Sequence, residues 1–251
     1  METKLSIITL LSYDYIYLED CIRSYYDIAD EIILGVDKNR VSWSGNVFTF
    51  DMAFVLSVIE KIDTGKKVKI IEGDFFKYKE PMQNDTYERN YLSQQCKAGN
   101  WIISIDIDER LVNAEEFHRW LKHHDQGNDI RNYDIGAQWI QIFKVIDGKK
   151  ILINRYEPTM VGTFKRGGFT CARHGSQPSV MSPLILEHYS WGRTREEIWQ
   201  KLSNWSHAND FNIKDYFDLW DSINLQNYRN FKNIHPLDKV SWPELILDER
   251  G

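Results

Sequence analysis

Asp106 and Asp108 stand one residue apart at the end of an apolar run, Trp101-Ile-Ile-Ser-Ile-Asp-Ile-Asp-Glu109. The run is short and β-branched, so it reads as a buried strand rather than a helix. Side chains two apart on a strand point to the same side, so the two carboxylates converge at or near its carboxyl end. Such groups repel each other and are costly to take out of water. A divalent cation relieves both problems, because hard cations take oxygen ligands. The chemistry implied is a metal site at a strand end. The plainer alternative is an acidic turn after a strand.

The elements that must position these acids alternate along the first half of the chain. Strands are expected over 5–11, 31–37, 68–73 and 101–106, and helices over 16–29, 50–62 and 85–98, the last stopped by Gly99 as a left-handed cap. That alternation predicts an α/β fold, Rossmann-like, with a mainly parallel central sheet flanked by helices. Open sheets of this kind bind ligands beyond the carboxyl ends of their strands. Leu11–Tyr13, Asp37, Gly73-Asp74 and Asp106–Asp108 should gather there. Beyond the acidic strand, a box Asn113-x-x-Glu116 opens a short helix, and segments 133–146 and 151–156 flank a hairpin turn at Asp147-Gly148. These strands add an antiparallel extension. Residues 164–177 read as a loop or bent strand near the site, and 184–189 as a further strand. Two C-terminal helices follow. The first opens with a second box, Thr194-x-x-Glu197, and carries Ile198, Trp199, Leu202 and Trp205; the second carries Tyr216, Phe217 and Trp220. Helical spacing makes these aromatics core, with a sugar platform, dimer contact or membrane-surface patch as the alternatives.

Composition narrows the class. The 251 residues are 42% hydrophobic and carry a net charge of −6, which suits a globular core and rules against disorder. No basic block offers a nucleic-acid surface. Three scattered cysteines form neither a disulfide framework nor a zinc cluster and fit a reducing compartment, so a cytoplasmic location is expected. No stretch approaches membrane-spanning length, and the opening Met-Glu-Thr-Lys reads as no signal peptide; peripheral membrane contact stays open.

The strand ending in Asp37, the helix with Arg89-Asn90, and Gly99-Asn100-Trp101 leading into Asp106-Ile-Asp108-Glu109 resemble the family 2 glycosyltransferases of GT-A fold and their DxD motif. Downstream, Leu186-Glu-His188-Tyr-Ser-Trp-Gly and Lys201 look like the branch that adds sugars to bacterial surface glycans, including lipopolysaccharide core. The resemblance covers residues 4–205, and the strand with its DxD is the specific part. It implies a nucleoside diphosphate sugar donor, a glycan or lipid-linked glycan acceptor, and Mn²⁺ or Mg²⁺ bridging the diphosphate to the motif. On that pattern Asp106 and Asp108 are metal and ribose contacts and His188 is the third protein ligand of the metal. Leu11 lines the donor side, Asp37 touches the base or ribose, and Arg89 lies near the diphosphate or steadies the DxD loop. Arg193 and Lys201 neutralise the leaving diphosphate. Plainer roles stand beside these: a turn cap for Asp37, a surface ion pair with Asp85 for Arg89, a structural histidine, and solvated cations.

An inverting transferase also needs a base for the acceptor hydroxyl. Relatives often show His-Glu before the last strand, whereas this chain has Arg173-His174-Gly175. His174 and Glu187 are the candidates, and a retaining reaction, which needs no such base, stays open. The expected organisation is a GT-A domain over 1–210 with a helical extension over 211–251 packed on it. Two other functions compete. A nucleotidyltransferase also presents a nucleotide to carboxylate-bound metal, but usually opens with a Gly-rich basic loop, where this chain has Leu11-Ser-Tyr-Asp-Tyr15. A non-catalytic glycan-binding relative would bind sugars without turnover.

Overall fold

The structure is a computed structural model that describes residues 2–127, 129–204, 210–238 and 240–250. The chain divides into two compact units. The first holds the residues up to Gln138 with Pro158–Leu186, and the second Trp139–Glu157 with the chain from Glu187 onward.

The first unit is built on β1 (Leu5–Leu11), α1 (Leu18–Arg23), β2 (Glu31–Asp37), α2 (Met52–Ile62), β3 (Val68–Gly73), α3 (Pro81–Gln95) and β4 (Trp101–Asp106). Every residue of β1 and β2 is buried, which is why both read as unbroken apolar runs rather than alternating ones. The strands pair in parallel in the order β3-β2-β1-β4. The chain steps outward from β1 to β3, then crosses back over β2 and β1 to reach β4. With right-handed crossovers, that reversal puts α3 on the opposite face from α1 and α2. The switch point therefore lies between β1 and β4. Register aligns the carboxyl ends there: Leu10 is opposite Asp106, Leu11 opposite Val36, and Asp37 opposite Gly73. The expected α/β architecture and the gathering of Leu11, Asp37 and Asp106 at one edge both hold.

The unit continues through β5 (Glu109–Leu111), α4 (Ala114–His124) and the long β6 (Asp134–Ile146), whose first residues belong here. After β7 (Lys149–Ile153) in the second unit come β8 (Glu157–Thr163), antiparallel to β4, the two-strand hairpin β9 (Phe169–Cys171) and β10 (His174–Gly175), and β11 (Ser179–His188). The second unit pairs β6, β7 and β12 (Leu245–Leu247) in antiparallel, with α5 (Arg195–Asn204) and α6 (Ile213–Ser222). Asp147 and Gly148 both take positive φ, 49° and 74°, as the two-residue turn between β6 and β7 requires. Tyr216, Phe217 and Trp220 are buried in this unit's core, whereas Trp199 is 46% exposed. Trp205 lies outside the described residues.

Several expectations are corrected. The 16–29 segment is only partly α-helical: α1 ends at Arg23, where the Ser24 hydroxyl turns back to donate to the Cys21 carbonyl and accepts from the Leu111 amide. Helix α3 starts earlier, with Pro81 at its first position, and ends at Gln95; Gly99 is left-handed (φ 85°), but it turns the chain into β4 rather than capping the helix. Asn113 stands at the N-cap position of α4 and its carboxamide nitrogen donates to the Glu116 side chain, but its side chain accepts from no amide of the helix. Its carboxamide oxygen accepts from the Ile185 amide and its nitrogen donates to the Pro183 carbonyl, so it ties β11 down instead. The Thr194 box forms as expected: the Glu197 amide donates to Thr194 Oγ1 and the Thr194 amide to Glu197 Oε2.

Candidate active site

The end of β4 is held by two buried arginines from different elements. Arg89, on the sheet side of α3 and 2% exposed, donates from Nε to Asp85 (2.5 Å), from Nη1 to the Ser104 hydroxyl (2.5 Å) and from Nη2 to Asp106 Oδ1 (2.8 Å). The planar guanidinium thus joins helix and strand in one fork. Arg173 enters from the turn of the β9–β10 hairpin. It grips both oxygens of Glu109 (2.7 and 2.8 Å), donates to the Ser104 carbonyl (3.2 Å) and lies 3.6 Å from Asp106 Oδ2. Glu109, fully buried, also accepts from the Asp106 amide (2.8 Å). Asp108, two residues beyond Asp106, is buried. Burial alone would raise the Asp106 pKa, but the Arg89 and Arg173 charges overcome it and hold the carboxyl below its usual range. Its side chain keeps 26% exposure, so an ionised, rotamer-locked carboxylate faces solvent at the sheet edge.

On the other side of Arg89, Glu88 is buried, with Oε2 accepting from the Trp43 indole (2.7 Å) and Oε1 left without a hydrogen-bond partner. Burial pushes its pKa up to about 8, with the Asp85 charge adding to the shift against the opposing Trp43 hydrogen bond. Trp43 also lies over Arg89, 5.9 Å from ring centre to guanidinium carbon. Asp37 is buried and engaged by backbone: Oδ1 accepts from the amides of Asn39 and Val41 in its own turn, and Oδ2 from that of Phe75 just past β3. That is the turn-cap role, with the carboxylate turned into backbone.

The remaining expected residues fall in two groups. His174 is exposed on β10, one residue past Arg173, with its carbonyl accepting from the Thr170 hydroxyl. Leu11 is buried at the end of β1. In the second unit, Glu187 is bound by Lys150 (2.7 Å) and Arg250 (2.9 Å). His188 closes β11 with its ring stacked on Trp139, centroids 4.8 Å apart. Arg193 is buried and donates to the Tyr189 carbonyl, and Lys201 lies in the last turn of α5.

The residues at β4 do not by themselves fit the divalent cation that the DxD pattern implies. Asp106 has one oxygen bonded to Arg89 and the other facing Arg173, so it is already charge-paired. Among the described residues no three His, Cys, Asp or Glu side chains group closely enough to hold an ion. Arg173, Glu109 and Ser104 were not singled out in the sequence. Once the structure shows which face of α3 is buried, the reason for them is plain: Asn84, Asp85, Glu88, Arg89 and Ser93 lie on it beside Leu92, and buried polar groups must meet polar partners.

No protein-family model matches the chain, and no curated protein matches it in sequence. Among solved structures it resembles S. aureus TarS 1-349, at 17% identity and a TM-score of 0.33, over 58% of this chain and 37% of that one. It also resembles a 4-diphosphocytidyl-2C-methyl-D-erythritol synthase (10%, TM-score 0.40, 66% and 76% covered). A third likeness is to mannose-6-phosphate isomerase from Helicobacter pylori (9%, TM-score 0.36, 61% and 59% covered). At these values the likenesses carry no argument about activity.

Proposed function

We propose that the chain is a glycosyltransferase that moves a sugar from a nucleoside diphosphate sugar to a hydroxyl of a glycan or lipid-linked glycan. The observation that supports this most is Asp106, an ionised carboxylate locked by Arg89 at the switch point of a parallel sheet. Ligands of such sheets bind at that edge. A carboxylate already paired with guanidiniums attracts a further cation weakly but still accepts hydrogen bonds from neutral hydroxyls, as a ribose or sugar presents. The anomeric carbon then passes through an oxocarbenium-like state as the nucleoside diphosphate leaves. In the inverting form, the exposed His174 takes the proton of the acceptor hydroxyl. Glu187, the other candidate, has its carboxylate oxygens already held by Lys150 and Arg250.

The test is slow hydrolysis across a panel of nucleotide sugars, each with Mn²⁺, with Mg²⁺ and with chelator. The expected result is release of nucleoside diphosphate from one donor, reduced about a hundredfold or more in Asp106→Ala and in Asp108→Ala. The three conditions read the cation requirement directly. Release of pyrophosphate from a nucleoside triphosphate with a sugar phosphate would point to the nucleotidyltransferase instead. Glycan binding with no donor cleaved under any condition would sink the transferase and leave a binding protein.

A further inference from the structure

The hairpin over residues 164–177 is docked along α3 by a ladder of side chains on one face of that helix. The Asn90 carboxamide pairs with both the amide and the carbonyl of Phe169, as a neighbouring strand would (3.0 and 2.8 Å). The Ser93 hydroxyl accepts from the Gly167 amide, and the Thr86 hydroxyl from the Ala172 amide. Arg166 donates to the Gln94 carbonyl. At the tip, Ala172 takes a left-handed φ of 47°, a conformation costly for a residue with a Cβ. The turn it makes places the next side chain, Arg173, inward, where it is 5% exposed. There it bonds both oxygens of Glu109, which in turn accepts from the Asp106 amide. Backbone strain, a fully buried carboxylate and a buried guanidinium are all spent on one junction between the hairpin and the strand end.

We infer that Arg173 is a positioning residue of the transfer site, which acts through Glu109 to fix the Asp106–Glu109 turn. This rests on the function proposed above. Arg173 is too buried to meet a donor, so its effect is on geometry: it sets where the Asp106 carboxylate and the following Asp108 stand. Arg89 holds the same carboxylate from α3, and the turn is thereby fixed from two sides. A loop displaced slightly from its productive position loses the chemical step more than it loses ground-state binding.

The experiment measures steady-state donor hydrolysis and melting temperature for the wild-type chain, Arg173→Lys, Arg173→Ala and Glu109→Gln. Arg173→Lys keeps the charge and loses the fork. The expected result is a folded Arg173→Lys whose kcat falls about tenfold or more while its donor KM stays within about threefold. Millimolar guanidinium, and not ammonium, should restore part of the Arg173→Ala rate, a response that a merely structural role would not give. A folded Arg173→Lys with wild-type kcat overturns the inference. So does a rise in KM that accounts for the whole loss, because that marks direct donor contact. If Arg173→Lys fails to fold, Glu109→Gln, of the same shape, is read by the same kcat and KM criteria. A wild-type chain that cleaves no donor fails in the first measurement, before any variant, and overturns the transferase reading together with this one.

Discussion

Arg89 and Arg173 lie buried among carboxylates, whereas Lys144, a buried cation of the second unit, lies among backbone carbonyls. The Lys144 ammonium donates to the carbonyls of Trp220 (2.8 Å), Asp221 (3.1 Å) and Ile223 (2.7 Å) and sits 4.2 Å from the Trp220 ring centre. It closes the carboxyl end of α6, where the helix dipole and unmet carbonyls favour a cation. Burial lowers its pKa, with the Asp221 charge opposing. Both arrangements satisfy a buried charge, but they fix different things. The lysine holds a helix end onto the Phe143–Trp220 core. The arginines hold acids, and buried ion pairs are poor sources of net stability. What the pairs at β4 do secure is a fixed orientation for Asp106, which is what a site needs.

The strongest way to break that contrast is to remove one cation from each. Arg89→Met strands Asp85 as a buried acid, leaves Asp106 with Arg173 alone, and should cost about 3–5 kcal/mol. It should also abolish donor hydrolysis. Urea unfolding, followed separately by far-UV circular dichroism and by tryptophan fluorescence, measures the first. A loss below about 1 kcal/mol would mean that the cluster is better solvated than its burial implies.

Glu88→Gln sharpens the same point through pH. The folded-state pKa of Glu88 is raised to about 8 by burial. Its stabilising contribution is therefore complete below the unfolded value near 4.5, and it is lost as pH rises through about 8. Wild-type stability should fall over that window, and Glu88→Gln should flatten the fall. The variant should melt higher than wild type at pH 8, by the equivalent of about 2–3 kcal/mol once an imperfectly paired amide is allowed for, and about the same or lower at pH 5. Parallel wild-type and variant melting curves across this range would show that Glu88 does not titrate there.

Lys144→Met should cost less than Arg89→Met, about 1–3 kcal/mol, because it leaves neutral carbonyls without a donor rather than charged acids. Melting temperature orders the two. A larger loss at Lys144 would reverse the contrast between the units.

Much of the first unit was legible because β1, β2 and β4 are buried on both faces, and continuous apolar runs have few other readings. Asp106 and Asp108 were legible for the same reason: two acids are conspicuous at the end of such a run. The surroundings were not. Arg173 reaches Glu109 across 64 residues of sequence, and no local period encodes that contact. Arg89 and Asp85 showed the spacing of an ordinary surface pair, so sequence spacing alone did not show that the face was buried. Asn113 misled for a related reason. Its residue type and its Glu at the third position are those of a helix cap, yet a strand amide from Ile185 competes for the same oxygen and wins. Between Asn113 and Thr194 the motif is nearly identical and the outcome opposite; tertiary contact decides which is a cap.

That difference supplies the smallest effect. At the start of α5, Thr194 Oγ1 accepts from the Glu197 amide at 3.3 Å, and Glu197 reaches back to the Thr194 amide at 2.8 Å. Thr194→Ala removes only the first bond, because the second is made to backbone. The loss should be about 1 kcal/mol, carried by fraying of the first turn of α5. In Asn113→Ala the amides of α4 lose no side-chain acceptor, since Asn113 gives them none. What that variant loses is the acceptor for the Ile185 amide and the donor to Pro183 and to the exposed Glu116 side chain. Amide hydrogen exchange separates the two cases. Thr194→Ala should speed exchange at Glu197 and its neighbours in α5, while Asn113→Ala should speed it at Ile185 in β11 and leave the start of α4 unchanged. Faster exchange at Glu116 or Phe117 in Asn113→Ala would show that Asn113 caps α4 in solution after all.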